Sequence, residues 1–184
     1  MDRSTNQNKP FIPSKEECLS LLKKYDTPKS VIEHCLVVSQ VALEIFENNE
    51  NYNEDEKELL IAGAILHDIG RAVTHCLLHG IEGVKILQKE NIDPRIVQIV
   101  KTHIGTGLTV DEAKKFGLPL DDYFPKTIIE IIVSHADKLV NGAEIVSFNE
   151  ACEKLVRKFG EDTLIVKNFH KQKQLIENTK RKKL

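Results

Sequence analysis

Several things that would settle the class of this chain at once are missing from it. There is no surplus of positive charge: 26 lysines and arginines face 28 aspartates and glutamates, a formal charge of −2 over 184 residues. That balance excludes an extended electropositive nucleic-acid surface. Long apolar runs are absent too. The longest, Leu59 to Leu66, contains Gly63 and is under half of the roughly 20 residues that a membrane-crossing helix needs, so no membrane span is expected. Met1 to Pro10 lacks the apolar core of a secretory signal, which makes the cytoplasm the expected compartment. The four cysteines, Cys18, Cys35, Cys76 and Cys152, form no CxxC pair; this argues against disulfide staples and paired-thiol zinc sites and leaves them as reduced packing residues. Neither a GxSxG nor a P-loop pattern is present, nor an internal repeat, nor a convincing alternating strand run.

What is present is helical periodicity with helix punctuation. Ser14 and Glu17 have capping-box spacing. Thr27-Pro28 opens a second helix whose stripe runs through Val31, His34, Cys35, Val38, Ala42 and Ile45 to Asn48 and Asn49. Asn53 with Glu56 opens a third, for which Gly70 reads as the stop, placing His67 and Asp68 in the last turn. Asp93-Pro94 starts a helix that carries His103, Thr109 to Leu120 reads as a short helical turn, Lys126 to Val140 is strongly apolar, and Ser147 with Glu150 caps a helix to Phe159. From Thr163 the pattern decays into the basic end Lys180 to Lys183. The reading is all-α: one domain over 1–184, a helical bundle with short additional N- and C-terminal helices and flexible tails at 1–13 and 180–184. Leu155, Val156, Phe159, Leu164, Ile165 and Phe169 either close the core or pair subunits, so an oligomer stays open.

The chemistry concentrates at helix ends. His34, alone, reads as a core histidine with one hydrogen bond or as a ligand; its company shifts the reading toward a ligand. His67 and Asp68 are adjacent, and Asp137 sits on the inward row of Ile129 and Val133, where an unpaired carboxylate is costly to bury. A metal supplies the opposite charge.

The order His34, then His67-Asp68-Ile69-Gly70, then Asp137 resembles the HD-domain metal-dependent phosphohydrolases over about residues 28–142. His79-Gly80-Ile81-Glu82-Gly83 and Thr102-His103-Ile104-Gly105 are similar to the extra-histidine segments of its binuclear subgroup. The resemblance implies an HD-type bundle, with helices beyond that range as decoration, and two divalent ions. His34, His67, Asp68 and Asp137 would hold one ion and His79 and His103 the other, with Asp68 bridging. Iron or manganese is favoured over zinc, nickel, cobalt or magnesium. Water between two such cations becomes a hydroxide at neutral pH, so the implied activity is hydrolysis of a phosphate ester or anhydride, with a nucleotide as the expected small phosphorylated partner. The alternative is a slow or non-catalytic regulatory module that binds metal and nucleotide. The Gly-Tyr-Pro signature of cyclic-dinucleotide enzymes does not follow His103.

Arg71, where the binuclear group often carries lysine, reads equally as a phosphate clamp or as a charge at a helix C-terminus. Lys101 and Lys138 are further substrate-binding candidates. His75, four residues before His79, suits a catalytic or substrate contact, and His135 suits orienting a ligand on a neighbouring helix or meeting the leaving group. His170 is expected to be exposed.

Overall fold

The computed structural model describes residues 9–48 and 54–179. Nine α-helices occupy them: α1 Lys15–Lys24, α2 Lys29–Glu47, α3 Glu54–Leu66, α4 His79–Lys89, α5 Pro94–Thr102, α6 Val110–Lys115, α7 Ile128–Lys138, α8 Phe148–Phe159 and α9 Leu164–Asn178. A 3₁₀ turn, Ile69–Ala72, follows α3, and a hairpin of β1 Val140–Asn141 and β2 Glu144–Ile145 follows α7. The all-α class holds, with this two-residue hairpin as the exception the sequence did not announce. Asn49, Asn53, residues 1–8 and Lys180 to Lys183 lie outside the described residues. Among those described, no helix is long and apolar enough to cross a membrane.

Capping explains where the helices begin. Reciprocal boxes close the N-termini of α1 (Ser14, Glu17), α6 (Thr109, Glu112), α7 (Thr127, Glu130) and α8 (Ser147, Glu150). α2 packs on α3 and α7, and α3 on α5, around a core that includes Val38, Ala42, Leu60, Ile65, Ile96, Val100, Ile132 and Val133. A second core joins Ile104, Leu108 and Tyr123 to Leu155, Ile165 and Phe169 of α8 and α9.

Three features depart from the sequence reading. α9 does not decay after Thr163; it runs to Asn178, Phe169 is wholly buried, and Gln172 donates to the Thr106 carbonyl at 3.4 Å and to Ser134 Oγ at 3.2 Å. The stretch read as an N-terminal tail is tied down from Phe11, whose backbone exchanges hydrogen bonds with Asn91 (3.4 Å) and Asp93 (2.9 Å). Finally, α3 stops at Leu66, so His67 and Asp68 lie beyond its last turn. Gly70 is not the stop. It sits inside the 3₁₀ turn, where a Cβ would lie 1.8 Å from the His79 carbonyl oxygen. Only glycine lets this turn touch the start of α4, and that contact carries His79 to Asp68.

Candidate metal centre

Four imidazoles meet at this point, and each is oriented by a backbone carbonyl. Nδ1 of His67 donates to Ala64 O, that of His79 to Cys76 O and that of His103 to Val100 O, all at 2.7 Å. The three bonds repeat one local device: a histidine at a helix terminus or adjoining turn reaches back three residues. Nδ1 of His34 donates instead across the fold to Gly142 O at 2.8 Å. That carbonyl belongs to the turn of the hairpin, where φ of Gly142 is 64° and an L side chain would be strained. A carbonyl can only accept, so each Nδ1 carries a proton and each Nε2 is the atom left to coordinate. Burial opposes a charge on His67, but Cys35, Asp68 and Asp137 outweigh it and raise this imidazole well above the ordinary histidine value, so a metal bound there would displace a proton from its Nε2.

These Nε2 atoms face one another and two carboxylates. His34 Nε2 lies 3.1 Å from Asp137 Oδ1, and His67 Nε2 lies 3.7 Å from both Asp137 Oδ1 and Asp68 Oδ2. His79 Nε2 is 3.1 Å and His103 Nε2 3.4 Å from Asp68 Oδ1, and the two Nε2 atoms are 3.0 Å apart. His67, Asp68, His79 and His103 are all buried. Burial alone would raise both carboxyls; instead His67, His103 and His79 hold Asp68 well below the usual carboxylate range, and Lys138, His34 and His67 do the same for Asp137. Burial pulls His103 down to about 4, so no proton neutralises its lone pair at neutral pH.

The donor set fits metal ions. His67 Nε2 and Asp68 Oδ1 are buried without a hydrogen-bond partner, a costly state that a cation would relieve. Two groups have ligand atoms close enough for one ion each: His34, His67 and Asp68, and Asp68, His79 and His103. Asp68 is common to both, and Asp137 approaches the first through His34 and His67.

The cluster opens into a cavity of about 420 Å³, lined by Arg71, His75, Asp137 and Lys138 among others. Arg71 Nε donates to Asp68 Oδ2 at 2.5 Å, and the Lys138 ammonium donates to Asp137 and, at 3.3 Å, to the His103 carbonyl. His75 is exposed at the cavity, but α4 begins only at His79, so the two do not share a helical face. Lys101 is not brought in: its ammonium pairs with Asp121 at 2.5 Å and lies over the Tyr123 ring. His135 is not brought in either. It stacks on Phe169 at 4.6 Å between centroids and on Phe148 at 6.1 Å, and burial pushes its pKa down to about 4. Its role is packing between α7, α8 and α9. His170 is exposed, with its ring edge-on to Phe148.

Sequence reasoning missed Ala151, Lys154, Leu155 and Lys158 of α8, which also line the cavity. Their i, i+3, i+4, i+7 spacing marks one helical face. Nothing in the sequence says which cavity that face meets. α8 is therefore a wall of the site rather than decoration.

Comparison with known proteins agrees with this geometry. Two tRNA (cytidine(56)-2'-O)-methyltransferases are similar in sequence: that of Picrophilus torridus is 40% identical over 163 residues, covering 88% of this chain, and that of Thermoplasma volcanium 41% over 153 residues, covering 83%. The chain spans only 47% and 44% of their lengths. An uncharacterised protein of Methanocaldococcus jannaschii is 40% identical over 156 residues, 84% of this chain and 91% of that protein. The HD domain of the L. monocytogenes phosphodiesterase PgpH, solved with cyclic-di-AMP, shares the fold with a TM-score of 0.56 over 90% of this chain and all of its own, at 18% identity. Residues 31–142 match the HD domain family; with its histidines and aspartates gathered as described, the chain belongs to that family.

Proposed function

We propose that the chain is a metal-dependent phosphohydrolase acting on a phosphate ester or anhydride of a nucleotide. The observation that carries this reading is the set of inward-facing Nε2 atoms around Asp68, at the base of a cavity with cationic side chains. Asp68 would serve two ions, one with His34, His67 and Asp137 and one with His79 and His103, iron or manganese being the favoured metals. Divalent metal in such a site lowers the pKa of bound water and neutralises phosphoryl oxygens. The carbonyl bonds to Nδ1 hold the four rings in one tautomer, so the site needs little reorganisation on loading. Arg71 and Lys138, beside the two carboxylates, would orient phosphate oxygens entering the cavity. His75, exposed there, would deliver a proton to the leaving oxygen. The cyclic-di-AMP bound by the PgpH domain supports a nucleotide as substrate.

One observation favours a second reading, a regulatory module that binds metal and nucleotide: two of the relatives bear the name of a different reaction, and about half of their length lies outside the match. A screen of nucleotides with iron- or manganese-reconstituted protein, run beside His67→Ala, separates the two. Phosphate release that disappears with His67→Ala and with chelation supports hydrolysis. Turnover indifferent to His67→Ala overturns it, and tight nucleotide binding without product favours the second reading.

A further inference from the structure

The charge in the cavity does not balance. Its lining carries four cations, Arg71, Lys138, Lys154 and Lys158, and two carboxylates, Asp68 and Asp137. The carboxylates are already engaged: Asp68 pairs with Arg71 and Asp137 with Lys138. Lys154 and Lys158 are left over. Among the described residues neither has an acidic partner within ion-pair distance; Lys154 Nζ donates to the neutral Asn141 side chain at 2.6 Å, and Lys158 Nζ lies 5.0 Å from the Phe159 ring centroid. Lys158 is exposed overall, but partial burial in the cavity wall and the neighbouring charges of Lys138, Arg71 and Lys154 press its ammonium below the ordinary lysine value.

Such a concentration is unusual for this molecule. The whole chain is net negative, and where lysines elsewhere lack an acid among the described residues, as Lys23 and Lys89 do, they do not line this cavity, whereas Lys154 and Lys158 share it with Arg71 and Lys138. Gathering unpaired like charges is unfavourable unless a ligand supplies the opposite sign, and metal ions bound at Asp68 would increase the repulsion. The cavity volume is that of a small-ligand site, so the missing anion is a compact one that enters together with the reacting phosphate. Because the surplus is confined to one face of one short helix, it suits this better than an RNA backbone, which needs a longer basic track.

We infer that Lys154 and Lys158 form a second phosphate subsite on α8, which makes the preferred substrate a nucleotide carrying two or more linked phosphates rather than a monophosphate. The inference rests on the hydrolase reading for the word substrate, but the subsite is testable by binding alone. Calorimetric titration of the metal-loaded protein with orthophosphate and with tripolyphosphate should show a preference for the longer anion. Each of Lys154→Gln and Lys158→Gln should cut that preference by about tenfold, the loss expected for one charge-assisted contact. Lys158→Arg should restore most of it. Arg157→Gln, also on α8 but absent from the cavity lining and highly exposed, should leave it unchanged and controls for net charge.

In steady-state assays the same two glutamine variants should lower kcat/KM more for a nucleoside triphosphate than for a monophosphate, chiefly through KM. Equal affinity of the wild-type protein for the two anions, or a preference that survives the double variant with its fold intact by circular dichroism, overturns the subsite. Lysine-dependent binding of a short RNA in place of tripolyphosphate also overturns it. If the lysine-dependent preference appears but no phosphorylated compound is turned over, the subsite stands and the hydrolase reading falls. If nucleotides are hydrolysed with an unchanged ratio between triphosphate and monophosphate, the hydrolase reading stands and the subsite falls.

Discussion

The two sides of the cavity are built on opposite principles. On one side, His34, His67, His79, His103, Asp68 and Asp137 are buried or nearly so, and every imidazole is pinned by a named carbonyl. On the other, Lys154 and Lys158 of α8 are exposed, on long flexible stems, and among the described residues neither has an acidic partner. Coordination needs lone pairs placed to a fraction of an ångström, so it is set by rigid local geometry. Attraction of a phosphate chain needs charge within reach and tolerates mobility. A site divided in this way can keep its reacting centre constant while the α8 wall changes what is admitted.

The sharpest way to break the comparison is to remove the residue common to both candidate ion groups. Asp68→Asn should abolish loading of both positions and reduce turnover by at least about a hundredfold, the upper end of the cost of losing even an outer partner of a ligand. Metal content per chain by mass spectrometry checks it; retention of both ions would mean that Asp68 does not bridge.

Two buried histidines, His103 on the pinned side and His135 in the packing of α7 against α8 and α9, should also respond to acid before any carboxylate does. His103 and His135 are held neutral in the folded metal-free protein, with values near 4, while the unfolded chain protonates near 6.5. Protons therefore favour the unfolded chain between those limits, and stability present above about pH 6.5 should be lost progressively as pH falls toward about 4. Thermal melts of chelated protein at successive pH values measure this fall, and His135→Phe should remove about half of the slope, since it deletes one of two similar contributions. A melting temperature flat over that interval would contradict the assignment.

A smaller effect tests the contact that delivers His79. Gly70→Ala forces a Cβ against the His79 carbonyl; overpacking of this kind costs about 1–3 kcal/mol. It should also weaken metal binding at the proposed His79 and His103 position more than at the proposed His34 and His67 position, read by metal titration. The smallest effect belongs to Lys101. Its ion pair with Asp121 lies off the cavity lining, so Lys101→Ala should change stability by no more than about 1 kcal/mol and leave nucleotide KM unchanged. A large rise in KM would return it to the substrate-binding set.

The sites differ in legibility for the same reason that they differ in construction. The pinned side uses local devices: a histidine at a helix terminus or turn, an acid beside it, a carbonyl three residues back. Those leave marks in the sequence, and His67-Asp68, His79 and His103 could be read from them. His34 is ambiguous in the sequence because its carbonyl comes from Gly142, 108 positions away. Gly70 reads as a helix stop because the sequence shows a glycine after an apolar stripe and cannot show the backbone of α4 pressed against it. His135 shares its helix with Asp137, and only the stack with Phe148 and Phe169 separates their roles. Lys154 and Lys158 look like any solvated lysines on an amphipathic helix.

By itself the sequence determined that helices form, where most of them are capped, and that imidazoles and carboxylates collect at their ends; these follow from interactions spanning three or four residues. Tertiary structure alone decided that a short hairpin orients His34, that α8 closes the cavity, and that two lysines stand there with no acid beside them among the described residues. Each of these depends on which surfaces meet after the cores of α2 to α7 and of α8 and α9 have packed. That outcome is governed by volume and shape summed over the whole chain, and no short pattern encodes it.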